Sequence, residues 1–323
     1  MLVLGAGVCG LTCALTLLRA GHRVTVWAAR LPPHTTSNVA AAFWFPYAAE
    51  PRDRVLAWAR ESHAAFLALH GEAATGVRVV EAIDLDRAPR TETPWWAPAV
   101  TSLRRARADE LPEGFVDGHV FDAMVIDTRA YLPWLLERVR AEGGTVLTRR
   151  VASLAEATDA SDIVVNCTGL GAGPLCDDAE LYPIRGQLVH LSNPGLDRVV
   201  LDESSPDAIA YVVPRGDDCV LGGTADPHDD DLRVRRDDAV AIRRRCERLD
   251  PRLGQATRLA DVVGLRPGRA AVRLETEIVG ESTVVHDYGH GGAGVTLSWG
   301  CALEVAAHVR AAVGLGAGAE ARR

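Results

Sequence analysis

A chain of 323 residues, 48% of them hydrophobic, can bury a sizeable core in one large α/β domain or in two smaller ones. Its formal net charge of −8, with acidic residues spread along the length and no basic stripe, argues against nucleic acid or an anionic membrane as the main partner. The apolar start Leu2-Val3-Leu4 stops at Gly5 with no basic segment before it, and no apolar run approaches the roughly 18 residues of a membrane span, so a soluble cytoplasmic protein is expected. The seven cysteines show no repeated close spacing and are expected to be reduced, mostly buried thiols. No metal centre is expected: Cys9 and Cys13 lie one helical turn apart, but no His or Asp cluster completes the pair. The string His228-Asp229-Asp230-Asp231 is expected to be a solvated turn.

Met1 to Leu4 predicts a strand, and the glycine turn Gly5-Ala6-Gly7-Val8-Cys9-Gly10 follows at once. Apolar residues at helical spacing predict a helix from Gly10 to Ala20, capped by Gly21, before a second strand from Arg23 to Ala28. This βαβ context is what gives a GxGxxG match meaning: small residues let the backbone approach a pyrophosphate, whose charge the helix N-terminus stabilises. The second strand lacks the carboxylate that a nicotinamide dinucleotide's ribose would use; Arg30, Thr35, Thr36 and Ser37 instead offer a cation and hydroxyls to ribose and phosphate oxygens.

Further along, Arg54 to His70 predicts a helix, Val77 to Asp86 and Val116 to Ile126 strands, and Thr128 the cap of a helix running to Ala141. Gly144 to Val151 and Asp162 to Cys167 read as strands, followed by a sheet-rich stretch at Gly186–Leu191, Arg198–Asp202, Ala208–Val213 and Asp218–Gly223. Asp237 to Leu249 predicts a basic amphipathic helix. After a last strand, Val284 to Tyr288, the run Gly289-His290-Gly291-Gly292-Ala293-Gly294-Val295-Thr296 opens into the helical pattern Leu297 to Val313. Glycine turns at both ends of the chain suggest one nucleotide cofactor gripped from two sides. The expected organisation is a Rossmann-like, cofactor-binding domain (1–45, 144–181 and 261–323) interleaved with a mixed-sheet substrate domain (46–143 and 182–260).

These strings together resemble the FAD-dependent D-amino-acid oxidases. The matching pieces are the first glycine turn with Leu11; Thr35-Thr36-Ser37-Asn38-Val39-Ala40-Ala41 with Trp44 and Pro46-Tyr47; Val165-Asn166-Cys167-Thr168-Gly169; and Arg185-Gly186-Gln187. Tyr211-Val212-Val213-Pro214, Gly264-Leu265-Arg266-Pro267 and Tyr288 to Gly292 through Trp299-Gly300 complete them, in family order over residues 1 to about 310. The resemblance implies FAD held by Gly5, Gly7, Val8, Gly10, Arg30, Thr35, Thr36, Ser37, Val151 and the run Gly291, Gly292, Gly294, Val295 and Thr296. It implies further that Arg266 clamps a substrate carboxylate with two parallel hydrogen bonds, that Tyr211 joins the same carboxylate, and that the Gly292 carbonyl takes the substrate amine. The implied reaction passes hydride from Cα to flavin N5 and then electrons to O2, giving H2O2 and an imino acid that hydrolyses to a 2-oxo acid and ammonia.

The chain departs from the family's pattern at three positions. Asp207 stands where many members carry a lid tyrosine, which implies a more open site. Phe45 replaces a common glutamine, which favours apolar side chains, and Ala29 replaces an aspartate at the adenosine ribose, which implies weaker FAD binding. Neutral or apolar D-amino acids are expected ahead of acidic ones, for which Arg215, expected to face solvent, is the nearest extra cation. The alternatives are a glycine or sarcosine oxidase, a D-aspartate oxidase, or a flavin-binding protein without catalysis; a homodimer is the expected assembly.

Overall fold

The computed structural model describes residues 1–46, 49–204 and 209–320. It begins with the predicted βαβ unit: β1 (Leu2–Leu4), α1 (Val8–Arg19) and β2 (Thr25–Ala28). Helix α2 (Arg52–Leu69), strands β3 (Val77–Asp86), β4 (Leu103–Arg105) and β5 (Asp117–Ile126), and helix α3 (Thr128–Ala141) follow. Next come β6 (Thr145–Thr148), α4 (Leu154–Ala160), β7 (Ile163–Asn166), α5 (Ala172–Cys176), β8 (Tyr182–Ser192), β9 (Val199–Asp202), β10 (Ala210–Pro214), β11 (Asp218–Gly222) and β12 (Asp226–Pro227). Helix α6 (Arg236–Leu249), β13 (Arg258–Gly268), β14 (Arg273–Val279), β15 (Ser282–Tyr288) and α7 (Gly294–Glu320) end the described chain.

The strands form a six-stranded sheet in the order β14-β15-β7-β1-β2-β6 and a nine-stranded sheet in which β8 is flanked by β11 and β12 on one side and by β13 on the other. In the first sheet β15, β7, β1, β2 and β6 run parallel, so both faces must be covered. Helices α1, α2, α3 and α7 cover one face through Leu11, Leu15, Trp58, Phe66, Tyr131 and Val305, while Leu154 and Ala157 of α4 pack on the other. In the second sheet the period of two divides the faces. Val200, Val212 and Leu221 bury against Ile242 and Cys246 of α6; Val199, Leu201, Val213 and Val220 face the opposite way with Phe45, Trp96 and Phe121.

Four expectations need correcting. Asp127, not Thr128, caps α3, its carboxylate accepting from the Arg129 N–H; the Thr128 hydroxyl donates instead to the carbonyls of Asn38 and Ala40. The strand expected over Gly144–Val151 spans only Thr145–Thr148. Strands β13 and β14 are not among the predicted elements; β13 contains Gly264 and Pro267 and tolerates the proline since it pairs with β8 alone and nothing needs its N–H. Finally, a boundary at 261 cuts through β13, which hydrogen-bonds in the second sheet, while α2 and α3 pack on the first. The expected strand start at Ala208 lies outside the described residues.

Strand β8 carries a fully buried arginine, Arg185. Its guanidinium pairs with Asp238 at 2.9 Å, donates to the carbonyls of Asp231 and Arg233, and meets the Gln187 side-chain oxygen at 2.9 Å. Gln187 in turn donates to the Arg235 carbonyl and accepts from the Arg235 N–H. One strand face thereby fixes the entire segment leading into α6. Arg185→Met should lower unfolding stability by about 3 kcal/mol, since it leaves a carboxylate and two carbonyls without their donor; the midpoint of urea unfolding checks it.

Candidate active site

The carboxyl ends of the parallel strands β1, β7 and β15 open on a single cleft of about 1040 Å³, the place where open α/β sheets hold ligands. At its floor Gly5 turns with φ of +105°, and a Cβ there would run into the Cys167 carbonyl. Gly7 precedes α1, and the Val8 N–H is held by Ser37 Oγ at 3.0 Å, so the 3₁₀ turn Thr36–Val39 is tied to the helix start. The remaining first-turn N–H groups have no carbonyl ahead of them, the kind of helix end that suits an anion. Gly10 does not line the cleft; its missing side chain lets α1 pack onto the Gly5 carbonyl.

The other expected cofactor residues do line the same cleft: Arg30, Thr35, Thr36, Ser37 and Val151 from one side, Gly291, Gly292, Gly294, Val295 and Thr296 from the other. Besides that of Ser37, two of the hydroxyls are already engaged. Thr35 Oγ1 donates to Asn38 Oδ1 at 2.8 Å, and Thr296 Oγ1 donates to the Phe45 carbonyl at 3.0 Å, so the hydroxyl protons of both are committed within the protein. Gly291 takes φ of +54° and donates to the Pro267 carbonyl, which aims the start of α7 into the cleft. Near Trp27 the lining includes Arg30, Arg149 and Arg150, with the Arg149 guanidinium 3.7 Å from the indole centroid and no carboxylate among the described lining residues there.

Beneath this loop, folding brings together what the sequence keeps apart. Asp287 and His290 meet the Cys9 and Cys13 pair, contrary to the expectation that no such residues would join it. His290 Nε2 lies 3.1 Å from Asp287 Oδ1, and the Cys13 thiol donates to Asp287 Oδ2 at 3.4 Å. Burial works against a charge on His290, but Cys9 and the Asp287 carboxylate outweigh it and hold its pKa well above the ordinary imidazole value. The cluster is accounted for as a buried ion pair that locks the glycine loop to α1.

The substrate end rests on two absent side chains. Strand β8 turns Arg185 and Gln187 away and leaves Gly186 facing the cleft, where a Cβ would lie inside the Arg266 guanidinium. Gly222 of β11 pairs directly with Tyr211 of β10, and a Cβ there would lie inside the tyrosine ring. Both side chains converge on one stretch: Arg266 donates to the Thr224 carbonyl at 2.9 Å, and the Tyr211 hydroxyl lies 3.5 Å from where a Gly223 Cβ would stand. Among the described residues no carboxylate neutralises Arg266. Around them Phe43, Phe45, Leu188, Leu201 and Ile209 make an apolar wall. Glycine inside a strand signals close approach, so Gly186 and Gly222 were findable from sequence. Arg215 is not solvent-facing but buried, paired with Asp218 at 2.5 Å, and it does not line the cleft. Tyr47 and Asp207 lie outside the described residues.

This architecture fits FAD: a glycine cradle that a Cβ would fill, helix N-termini at both walls, and a volume at the top of the roughly 300–1,000 Å³ range of ligand sites. A family model described as FAD dependent oxidoreductase matches residues 1–308. The chain is 48% identical over 312 residues to a D-amino-acid oxidase of Rubrobacter xylanophilus, covering 96% of each. It is 40% identical over 312 residues to a D-amino-acid oxidase of Dictyostelium discoideum, covering 94% of this chain and 89% of the relative. Its fold is similar to that of a glycine oxidase from Geobacillus kaustophilus, with TM-score 0.78 and 19% identity over 94% of this chain and 92% of the other. With its glycine cradle, its two helix N-termini and a family match over nearly its whole length, the chain belongs to the FAD dependent oxidoreductases.

Proposed function

We propose that this protein is a D-amino-acid oxidase that deaminates neutral or apolar D-amino acids with O2 as electron acceptor. The observation that carries the reading is Arg266, a guanidinium in an apolar cleft with no carboxylate partner among the described residues, next to Tyr211. A guanidinium without a carboxylate beside it in such surroundings is suited to a ligand anion, and the full-length likeness to D-amino-acid oxidases says which anion to try first.

When bound, FAD supplies the two-electron acceptor that the dehydrogenation needs. The chain's own residues do the positioning. Arg266 and Tyr211 fix the carboxylate, the Gly292 carbonyl accepts from the amine, and the apolar wall takes the side chain. With carboxylate and amine both fixed, only one enantiomer presents its Cα–H to the acceptor while its side chain fills the pocket, so orientation carries most of the rate. The backbone N–H groups at the start of α7 stabilise negative charge that develops nearby. All seven cysteines are free thiols, which suits a reducing, cytoplasmic setting. No helix among the described residues is long and apolar enough to cross a membrane. A homodimer is part of the proposal, and sedimentation checks it.

The first test is an anaerobic flavin spectrum on adding D-methionine, L-methionine and glycine in turn. Bleaching by D-methionine alone is expected; glycine outpacing D-alanine would favour the glycine oxidase alternative. Arg266→Leu should reduce kcat/KM for D-methionine by about 100-fold or more, the loss of two charge-assisted hydrogen bonds, and Tyr211→Phe by about tenfold, the loss of one. At the adenosine end, where arginines line the cleft without a carboxylate, the protein should shed part of its flavin on dialysis. Ala29→Asp should tighten retention by about tenfold, measured as flavin fluorescence released over time.

A further inference from the structure

Two strands of the first sheet end at the same corner of the cleft. Ala28, the last residue of β2, stands in register with Thr148, the last of β6, and the Arg149 N–H donates to the Ala28 carbonyl at 2.9 Å. Arg30 and Arg150 each lie two residues beyond that matched pair, and both line the cleft. Arg149 is already committed: its guanidinium covers the Trp27 indole and donates to Glu156 at 2.6 Å. Glu156 is spent in turn on Arg149 and on the Ala152 N–H, at 2.8 Å. The side chains of Arg30 and Arg150 have no ion-pair or hydrogen-bond partner among the described residues. Both are exposed, so water keeps their mutual repulsion modest, yet no protein carboxylate offsets the pair.

FAD brings no charge to such a corner. In a βαβ dinucleotide site the pyrophosphate belongs on the N-terminus of the first helix, and the end of the second strand meets the ribose of the adenosine half. A carboxylate at that strand end selects a ribose with free hydroxyls, whereas an arginine there accommodates a ribose phosphate. This chain has Ala29 and Arg30 at the position, with Arg150 arriving from β6. A phosphate monoester carries about −1.5 to −2 charges at neutral pH and accepts paired hydrogen bonds from a guanidinium, which suits two arginines better than one.

We propose that this corner is a subsite for a phosphate on the adenosine ribose, so that the cleft also takes adenosine nucleotides phosphorylated at the 2′ or 3′ position as well as at the 5′. The 5′-phosphate lies on the glycine turn before α1, and Arg30 and Arg150 hold the second phosphate. Because these nucleotides claim the same turn as FAD, they bind in its place, and flavin occupancy falls as they accumulate. The contact is open to water and weakens with added salt.

The test is displacement of flavin from the holoenzyme, read at equilibrium as the rise in flavin fluorescence in low-salt buffer. Adenosine 5′-monophosphate, adenosine 2′,5′-bisphosphate and adenosine 3′,5′-bisphosphate share base and sugar and differ in the second phosphate. One bisphosphate should displace flavin at about tenfold lower concentration than the monophosphate, the worth of charge-assisted contacts open to water, and its identity tells which ribose position is read. Arg150→Gln should bring that ratio close to one. Ala29→Asp should move the two ligands in opposite directions, holding flavin more tightly through the ribose hydroxyls while repelling the bisphosphate, a pattern that general loosening of the corner cannot give. Bisphosphates no better than the monophosphate, displacement by none of the three included, overturn the proposal. So does an advantage that survives Arg150→Gln. Neither result touches the oxidase reading, which the bleaching of bound flavin by D-methionine tests separately.

Discussion

Nothing larger than a hydrogen atom fits beneath Arg266 and Tyr211. Gly186 and Gly222, on the adjacent strands β8 and β11, leave two gaps in an otherwise full-sized sheet face, and the guanidinium and the phenol ring lie in them. This steric constraint sets the rest of the site. Because the two side chains lie flat on the sheet instead of standing off it, their polar ends meet at residues 222–224, and the apolar wall can rise around them. The opposite face of β8 shows the complement, with Arg185 and Gln187 bonded to each other, to the segment before α6 and to Asp238 in its first turn. A single strand thus separates a buried arginine satisfied by several protein groups from an arginine across the sheet that opens on the cleft and donates to the Thr224 carbonyl.

Electrostatically the cleft is graded. Backbone donors and arginines line its two ends, while Glu203 is an exposed acid beside its apolar wall. Among the described residues, the charged pair that borders the floor, Asp287 with His290, is closed on itself and contributes fixed geometry more than field. Such self-neutralised pairs hold a loop in register without competing for a charged ligand.

Much of this was legible from the chain. The βαβ opening, the order of the glycine motifs, and Arg266 and Tyr211 followed from local patterns and their resemblance to a family. What escaped depends on tertiary partners. Strand β13 hides its identity behind Gly264 and Pro267, which only an edge position permits. Arg215 reads as a loop cation until Asp218 folds back onto it. Glu203 reads as one more acid at the end of a strand, and only the pairing of Leu201 with Tyr211 reveals which face it takes. Cys13 and Asp287 stand 274 positions apart, beyond any spacing rule.

The cleft has one further property that follows from the chain's path around it. Its walls are drawn from residues near positions 5, 37, 151, 167, 266 and 292, that is, from the start, middle and end of the polypeptide. A ligand that touches them all acts as a non-covalent cross-link between segments that would otherwise separate on unfolding. By mass action, resistance to heat should then track the free FAD concentration, and cofactor supply during synthesis becomes a determinant of how much folded protein accumulates.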